Sequence, residues 1–408
     1  MKRMCKVAVI VSSYKDAHRK IAAGVGQYSQ QVGNWSVYVE AEPAARIPDL
    51  RQWRSDGIIA DLGDREIARA VLNSGIPVVG IGGFASPELL ERTLGKQVPY
   101  VATDNIAIGR MGADHLLECG FEHLAYCGIP WVATNSWVEW RRRGFVARLA
   151  EAGLRSHSFL GRHRTAKRWP QLQAELKLWL STLPRPVGIM ACNDARAHHV
   201  LEACREAGLR VPEDVAVLGV DNDLMMCEMS IPSLSSIEQD VLGIGYRAGA
   251  ALDRLMHGKR VPPWTRVDPK IIVTRQSTTI VAVKDPLVAT ALRFIHSHTG
   301  DLIQVEQVTG ALGVSRTTLD SRFRQILGRT THDEIERTRL RMAKTLLATT
   351  DLPLRIIATR SGFRNDNYMG YVFRRALGVS PGVYRKQLRL TDGTGQLSGS
   401  RRRGGARL

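Results

Sequence analysis

The chain of 408 residues has little that would hold it in a membrane or carry it out of the cell. It contains no run of about 18 apolar residues, which excludes a membrane-spanning helix. The first residues are basic and then apolar, as in a signal peptide. However, the apolar run Val7–Val11 is shorter than the ~7–15 residues of a signal sequence. We therefore interpret this run as the first buried strand of a cytoplasmic protein.

Cysteine is sparse and irregularly spaced. No Cys-x-x-Cys pair occurs, and most of the cysteines lie in apolar stretches. This pattern predicts free thiols in a reducing compartment and argues against a disulfide framework or a metal site. The six residues are Cys5, Cys119, Cys127, Cys192, Cys204 and Cys227.

The sequence also lacks the short motifs that mark common enzymes. No G-x-G-x-x-G opens a helix after the first strand, and neither a Walker A motif nor a G-x-S-x-G motif is present. His198 and His199 are adjacent, whereas a metal pair on a helix needs the spacing i, i+4. We therefore expect a protein that is not an enzyme and has no cofactor and no metal.

What the chain does have is a basic C-terminal end. Residues 287–408 contain 21 Lys and Arg against 9 Asp and Glu, a net +12 of the chain's +18. A basic excess at one end indicates a polyanionic partner. A membrane surface would require a free basic amphipathic helix, and none stands out, so the pattern favours nucleic acid.

Two helix–turn–helix patterns lie in this basic region, at Val305–Gly328 and Leu354–Pro381. Each has a short apolar helix, a glycine turn and a second helix, for which Ser315 and Asn365 are the expected N-caps. Apolar helical spacing alone would also fit an ordinary bundle. The repeat after about 50 residues instead fits two helices entering adjacent turns of one DNA major groove.

The second helix of each pattern is the predicted reading helix, because Asn pairs with adenine, Arg with guanine, and Asp accepts from cytosine. A helix over Asp333–Thr349 is predicted to bridge the two patterns. The first set of groove or phosphate contacts is Arg316, Thr317, Asp320, Ser321, Arg322 and Arg324. The second set is Asn365, Asp366, Asn367, Gly370, Tyr371, Arg374 and Arg375.

From Val7 to about Thr274, short Val/Ile-rich runs alternate with helical stretches. This alternation predicts parallel sheets covered by helices on both faces, and the number of strands predicts two α/β lobes. The eight expected strands are Val7–Val11, Val37–Glu40, Gly57–Ala60, Val78–Ile81, Tyr100–Thr103, His123–Cys127, Val187–Ala191 and Val215–Val220.

Polar residues follow several of these strands directly, as at Ser12, Asp61 and Asp221. Ligands of open α/β sheets bind off the carboxyl ends of the strands. A helix N-cap explains any one of these residues equally well. Together they indicate a pocket for a neutral polyhydroxy ligand, in which carboxylates accept from hydroxyls and Trp covers the C–H face.

The segments Val187–Asp223 and Pro232–Asp240 resemble the effector-binding core of LacI-type repressors and periplasmic sugar-binding proteins. Those repressors carry an N-terminal DNA-binding headpiece, whereas the first strand here starts at Val7. The Gly362-Phe363 turn and the ending Gly378–Arg385 resemble the AraC/XylS family instead. A sugar sensor ahead of an AraC-type domain is similar to the arrangement of xylose operon regulators, and this likeness extends to about Arg389.

The resemblance implies a set of sugar contacts. The LacI-type pattern points to Arg141, Trp169, Asn193, Asp221 and Gln239. The likeness of the first lobe to xylose operon regulators adds Ser12, Tyr14, Asp61 and Gly82.

The resemblance predicts a periplasmic-binding-protein-like α/β sensor of two lobes over 1–274 and a linker over 275–286. An all-α domain with tandem helix–turn–helix motifs follows over 287–390. The Gly/Ser/Arg-rich composition of residues 391–408, without apolar periodicity, predicts a disordered basic tail. The implied function is a sugar-responsive, dimeric activator of pentose genes, most simply for xylose. Its partners would be an operator in double-stranded DNA, the sugar, RNA polymerase and a second copy of the chain. The alternatives are a regulator for another sugar or a transport sugar-binding protein.

Overall fold

The computed structural model describes residues 3–12, 15–40, 54–84, 86–163, 166–279 and 285–393. Within these ranges no helix is both long and apolar enough to cross a membrane. Up to residue 273 the elements are β1 (Cys5–Ile10), α1 (Asp16–Val32), β2 (Trp35–Glu40), β3 (Gly57–Asp61), α2 (Arg65–Asn73), β4 (Val78–Ile81), α3 (Pro87–Leu94), β5 (Tyr100–Thr103), α4 (Asn105–Glu118), β6 (His123–Cys127), α5 (Trp137–Glu151), β7 (Ser156–Phe159), α6 (Trp169–Ser181), β8 (Val187–Ala191), α7 (Asp194–Glu206), β9 (Val215–Val220), α8 (Leu224–Met229), β10 (Ser235–Gln239), α9 (Val241–Met256), β11 (Trp264–Val267) and β12 (Pro269–Val273).

These elements form two lobes, each built on a six-stranded sheet. The strand order is β11-β5-β4-β3-β1-β2 in the first sheet and β12-β10-β9-β8-β6-β7 in the second. All strand pairs are parallel except β10 with β12. Strands buried on both faces, such as Val215–Val220, explain the continuous apolar runs in the sequence. The predicted pair of α/β lobes is therefore confirmed.

The eight predicted strands of the sensor are all present, with ends that move by at most two residues. Four strands were not predicted from the sequence: β7, β10, β11 and β12. Three of them lie at sheet edges, where a strand needs no continuous apolar run. The fourth, β10, contains Ser235, Ser236 and Gln239, so its composition is that of a loop.

The chain passes between the lobes three times. The crossings lie between β5 and α4, between β10 and α9, and between β11 and β12. As a result α9 and β11 return to the first lobe, where α9 packs against α1 and the sheet. The carboxyl ends of strands from both sheets therefore face the same gap between the lobes.

The stretch 275–286, predicted as a linker, begins as part of the second lobe. The side chains of Ser277 and Thr278 are fully buried. The Ser277 hydroxyl donates to the Val217 carbonyl at 2.6 Å, and the Thr278 hydroxyl donates to that of Ser235 at 2.7 Å. Residues 280–284 lie outside the described residues, so the boundary that the structure favours is near Thr279.

Over residues 285–393 the C-terminal region is built from helices joined by short turns. Its helices are α10 (Pro286–Ser297), α11 (Val305–Leu312), α12 (Arg316–Leu327), α13 (Thr331–Thr349), α14 (Leu354–Arg360), α15 (Asp366–Leu377) and α16 (Pro381–Gly393). The expected disordered tail was placed from residue 391, but α16 continues to Gly393. Residues 394–408 lie outside the described residues.

The two helix–turn–helix units have separate cores joined by α13. Ile335, near the start of α13, belongs to the core of α10, α11 and α12, whereas Ala343 and Leu347 belong to the core of α14 and α15. The predicted bridging helix is thus confirmed, and it begins two residues earlier than expected. The predicted N-caps also hold, because the side chains of Ser315 and Asn365 accept from the backbone N–H groups of Thr318 and Tyr368.

A buried ion pair fixes α13 to the first unit. Glu334 is fully buried, and its carboxylate accepts from Arg329 Nε at 2.5 Å. Its other oxygen lies 3.7 Å from His296 Nε2 on α10. Burial raises the pKa of Glu334, but the neighbouring His296 ring and the charge of Arg329 outweigh it and lower that pKa to about 2.

We predict that Glu334→Gln destabilises the C-terminal domain by about 2–3 kcal/mol, because it leaves the partly buried Arg329 without its counter-charge. The folded-state pKa lies below the unfolded value of about 4.3, so the ionised carboxylate stabilises the fold above that pH. This contribution is lost as the pH falls toward 2. Urea unfolding at several pH values measures both effects.

Glu306→Gln is the matched control, because Glu306 forms an exposed ion pair with Arg316. We expect it to cost less than about 1 kcal/mol. If Glu334→Gln cost no more than this control, the buried pair would not be a determinant of stability.

Candidate functional site

A cavity of about 490 Å³ lies between the two lobes, at the carboxyl ends of strands from both sheets. Its first-lobe wall includes Ser12, Lys15 and Asp61, and its second-lobe wall includes Arg141 and Asp221. The crossings themselves contribute further polar residues. This is the position at which open α/β sheets bind ligands.

On the first-lobe wall, Asp61 is the central group. One carboxylate oxygen accepts from the Gly63 backbone N–H at 2.9 Å, and the other lies 3.4 Å from His18 Nε2 and 3.9 Å from Lys15 Nζ. The other His18 ring nitrogen, Nδ1, accepts from the backbone N–H of Ser12 at 3.1 Å. Burial lowers the pKa of His18 despite the neighbouring carboxylate, so the neutral ring is favoured near pH 7.

Gly82 makes room for this carboxylate. Its backbone φ is +114°, a conformation that residues other than glycine rarely adopt. A Cβ at this position would lie 2.1 Å from Asp61 Oδ1. The glycine is therefore required by close packing at the end of β4.

On the second-lobe wall, Arg141 is buried, with only 4% of its surface exposed. Its Nε donates to the side-chain oxygen of Asn105 at 2.9 Å, and its Nη1 donates to the Cys192 carbonyl at 2.5 Å. The guanidinium carbon lies 4.5 Å from the ring centroid of Trp137, one helical turn earlier on α5. These contacts hold a positive charge in a fixed orientation at the cavity.

Asp221 and Gln239 connect the second lobe to a crossing. Gln239 Nε2 donates to Asp221 Oδ1 at 2.5 Å, and the Thr103 hydroxyl donates to Gln239 Oε1 at 2.6 Å. Burial raises the pKa of Asp221, while the charge of Arg141 opposes this rise. Asp221 and Asn222 have φ of 114° and 48°, so the end of β9 is strained where it meets the cavity.

Six of the nine predicted sugar contacts line the cavity: Ser12, Asp61, Gly82, Arg141, Asp221 and Gln239. Tyr14 lies outside the described residues. Trp169 does not line this cavity, because it starts α6 and lies edge-on against His199 at 5.5 Å between ring centroids. Asn193 is also absent from the lining, since its side chain caps α7 through the backbone N–H of Arg196.

The polar or aromatic lining residues outside the predicted set of nine include Lys15, His18, Asn105 and Trp137. Lys15 and His18 could have been found in the polar segment that follows the first strand. Trp137 stands four residues before Arg141, so the helical spacing places both on one face. Trp137 is therefore an aromatic lining residue that the sequence argument did not include.

Asp194 is buried beside the cavity and has a structural role. Its carboxylate accepts from the Ser236 hydroxyl at 2.6 Å and from the Asp223 backbone N–H at 2.8 Å. Burial, followed by the charge of Asp221, raises its pKa to about 8. It holds the turn after β9 against β10 and thereby positions Asp221.

The lining suits a small neutral polyol. It offers carboxylate acceptors, guanidinium and amide donors, and an aromatic face, which together bind hydroxyl groups and C–H faces. Carboxylates stand on both walls, which disfavours an anionic ligand.

In the C-terminal domain, most predicted DNA contacts are exposed. In the first unit, Arg316, Thr317, Ser321, Arg322 and Arg324 all face solvent. In the second unit, the exposed set is Asn365, Asp366, Asn367, Tyr371, Arg374 and Arg375.

Two of the predicted DNA contacts, Asp320 and Gly370, are not fully exposed to solvent. Asp320 is half-buried, and its carboxylate accepts from the Thr331 backbone N–H at 3.0 Å, so it holds the start of α13. Gly370 is buried, and the Arg374 guanidinium lies 3.7 Å from where its Cβ would be. We therefore leave both out of the proposed DNA-reading set.

Aromatic stacking and hydrogen bonds orient Tyr371 and Arg375 on α15. The ring of Tyr371 stacks on that of Tyr368, with centroids 6.2 Å apart, and the Arg375 guanidinium carbon lies 5.7 Å from the Tyr371 centroid. Arg375 and the Tyr368 hydroxyl both donate to the buried Glu336 of α13. The reading helix is thus tied to the bridging helix by a buried carboxylate.

Three family models match consecutive parts of the chain. They are an XylR N-terminal domain over residues 6–106, a periplasmic binding protein-like domain over 113–278 and a helix-turn-helix domain over 308–387. Together with the two lobes and the tandem helical units, they define the class. The chain is a transcription regulator with a periplasmic-binding-protein-like sensor and an AraC-type DNA-binding domain.

Full-length relatives identify the family within this class. The xylose operon regulatory protein of Escherichia coli strain K12 is 33% identical over 382 residues, covering 93% of this chain and 96% of the relative. That of Haemophilus influenzae is 32% identical, covering 93% and 98%. The solved structure of the xylose-binding transcription activator xylR is 32% identical, with a TM-score of 0.63 and coverage of 95% and 99%. The chain belongs to the family of xylose operon regulatory proteins.

We predict different effects for two substitutions on α15. Asn367→Ala removes an exposed amide that can read one base, so about 1–3 kcal/mol is lost at the matching operator position only. Arg374→Ala removes a phosphate contact, which weakens all sequences alike and reduces the salt slope by about one unit. Binding to an operator library at several salt concentrations measures both. Indistinguishable profiles for the two variants would contradict these roles.

Proposed function

We propose that this protein is a xylose-responsive activator of genes for pentose uptake and catabolism. The observation that carries this proposal is the cavity between the lobes, with Asp61 on one wall and Arg141 and Asp221 on the other. Xylose itself is proposed because the full-length relatives are named for the xylose operon.

The sugar is expected to act by changing the angle between the lobes. It contacts both walls, so it binds the closed arrangement more tightly and shifts the equilibrium toward it by that difference in affinity. The C-terminal domain contacts both lobes, since α13 packs on β12 and α16 packs on α9. A change of lobe angle therefore changes the position of the reading helices.

The proposed setting follows from this activity. The partners are an operator in double-stranded DNA and, for an activator, RNA polymerase. The location is the cytoplasm, where both DNA and the free sugar are accessible. No catalytic step is proposed, because a regulator of this kind only binds its ligands.

We predict that xylose raises the thermal unfolding midpoint of the protein, because a ligand at 100 times its Kd adds about 2.7 kcal/mol to stability. Asp221→Ala should abolish this shift without preventing DNA binding. Trp169→Ala should keep the shift, because Trp169 lies outside the cavity. Differential scanning fluorimetry with xylose, arabinose, ribose and glucose is the measurement.

The outcomes separate the alternatives. If another sugar raised the unfolding midpoint more than xylose does, that sugar would be identified as the effector. A normal xylose shift in Asp221→Ala would remove this residue from the binding site. In vitro transcription with and without xylose then tests activation through RNA polymerase.

The chain is also proposed to form a homodimer through an exposed apolar patch at α8. Leu224, Met225, Met229 and Ile231 are 58–80% exposed there. Sugar and DNA are polar partners, and the C-terminal domain of the same chain packs elsewhere, on β12 and α9. A second copy presenting the same patch would cover these side chains by a two-fold interface.

We predict that Met225→Ser with Met229→Ser shifts the protein toward monomer, because it removes apolar area from this patch. Leu178→Ser is the control, since Leu178 is similarly exposed but lies on α6. Sedimentation velocity over a range of concentrations measures the assembly state. An unchanged dimer in the double variant would place the interface elsewhere.

A further inference from the structure

A second cleft, of about 640 Å³, lies between the sensor and the DNA-binding domain. On the sensor side its wall is formed by α4 and β12, and on the other side by α13 together with Tyr384 of α16. It is separate from the sugar cavity and shares no lining residue with it.

The α13 wall of this cleft is strongly basic. Arg337, Arg341 and Lys344 follow each other at helical spacing and line the cleft from one face of the helix. Like charges this close repel one another, and the pKa of Arg337 is lowered by burial and then by the charges of Arg329 and Arg341. Burial likewise lowers the pKa of Lys344.

The carboxylates of the cleft do not neutralise this wall. Asp114 is held by Arg148 at 2.5 Å. Glu118 forms an ion pair with Arg337 at 3.7 Å, but its side chain is 67% exposed, so this pair is weak. For the Arg341 guanidinium, the described part of the chain shows no hydrogen bond and no ion pair. One exposed carboxylate thus faces three cations.

The sensor side of the cleft adds groups that suit an organic anion. It contributes the apolar side chains of Met111 and Ile271, and the opposite wall adds Leu340 and Tyr384. Lys270 lines the cleft as well. His115 is buried here, and burial followed by the charges of Arg341 and Arg337 lowers its pKa to about 3, so it adds no charge.

We propose that this cleft binds a small molecule carrying a phosphate group, with the dianion against Arg341 and Lys344. A phosphate monoester matches the charge, since its oxygens accept from guanidinium and ammonium groups, and its organic part would cover the apolar side chains of the cleft. Because the ligand contacts both α13 and the sensor, its binding stabilises the docked position of the DNA-binding domain. The DNA-binding domain thereby responds to a second metabolite, independently of the sugar.

The test is isothermal titration calorimetry of the full-length protein with glycerol 3-phosphate, inorganic phosphate and sulfate at matched ionic strength. We expect one site per chain for the monoester, and weaker binding of sulfate. Arg341→Ala with Lys344→Ala should weaken binding at least tenfold, because two charge-assisted contacts are lost. The charge-matched control is Arg355→Ala with Lys386→Ala, whose parent side chains are exposed outside the cleft and should not matter.

A variant that is expected to strengthen phosphate binding excludes misfolding as the cause of weaker binding in the double variant. Glu118→Gln removes the nearby negative charge and should tighten phosphate binding about fivefold. The cleft double variant should unfold at the same temperature as the parent or higher when no anion is present, because it relieves repulsion. Tighter binding of the monoester than of phosphate supports a phosphorylated metabolite, and equal affinities support free phosphate as the source.

Three results would overturn the proposal. The first is the absence of a one-to-one isotherm for either phosphate compound. The second is equal weakening in the cleft double variant and its control, which would mean a general ion atmosphere. The third is a loss of operator affinity without a loss of phosphate affinity in the cleft double variant, which would place these cations against DNA.

Discussion

The three chain crossings between the sheets set the geometry on which the rest of the molecule depends. Two of the crossings place polar residues in the gap, namely Thr103 and Asn105 at the first and Gln239 at the second. The carboxyl ends of both sheets must then face each other, because the chain leaves one sheet and enters the other at that level. The sugar cavity follows directly from this topology.

The cavity is built from groups that are fixed before any ligand enters. The Arg141 guanidinium is held by Asn105 and by the Cys192 carbonyl, and Asp221 is held by Gln239. Fixed donors and acceptors lose little conformational freedom when a ligand binds, which favours affinity. The cost of this order lies in buried charge and in the positive φ of Asp221, both of which the surrounding hydrogen bonds must offset.

The DNA-binding domain is organised by a different device. A single long helix, α13, contributes side chains to two separate cores and carries buried carboxylates toward both units. Glu334 pairs with Arg329 in the first unit, and Glu336 accepts from Arg375 and Tyr368 in the second. The spacing of the two reading helices therefore depends on one rigid element, whose outer face also forms the basic wall against the sensor. Helix α13 therefore contacts the sensor and also sets the spacing of the reading helices.

The sequence by itself determined the elements and their order. Continuous apolar runs predicted eight strands, glycine turns with N-caps predicted both helix–turn–helix units, and the charge division predicted the DNA-binding end. These features are local, so periodicity and turn chemistry are sufficient to find them. Strands β7, β11 and β12 could not be found in this way, because an edge strand is defined by its neighbour in the sheet.

Only the tertiary structure decided which side chains meet. Resemblance implied sugar contacts from Trp169 and Asn193, whereas Trp137 lines the cavity and the Asn193 side chain caps α7. Asp320 has a side chain that could accept from a base, yet its carboxylate accepts a hydrogen bond from the backbone N–H of Thr331 at the start of α13. In each case a polar side chain has several possible partners of similar strength. The partner it takes depends on distances across the fold that no local pattern contains.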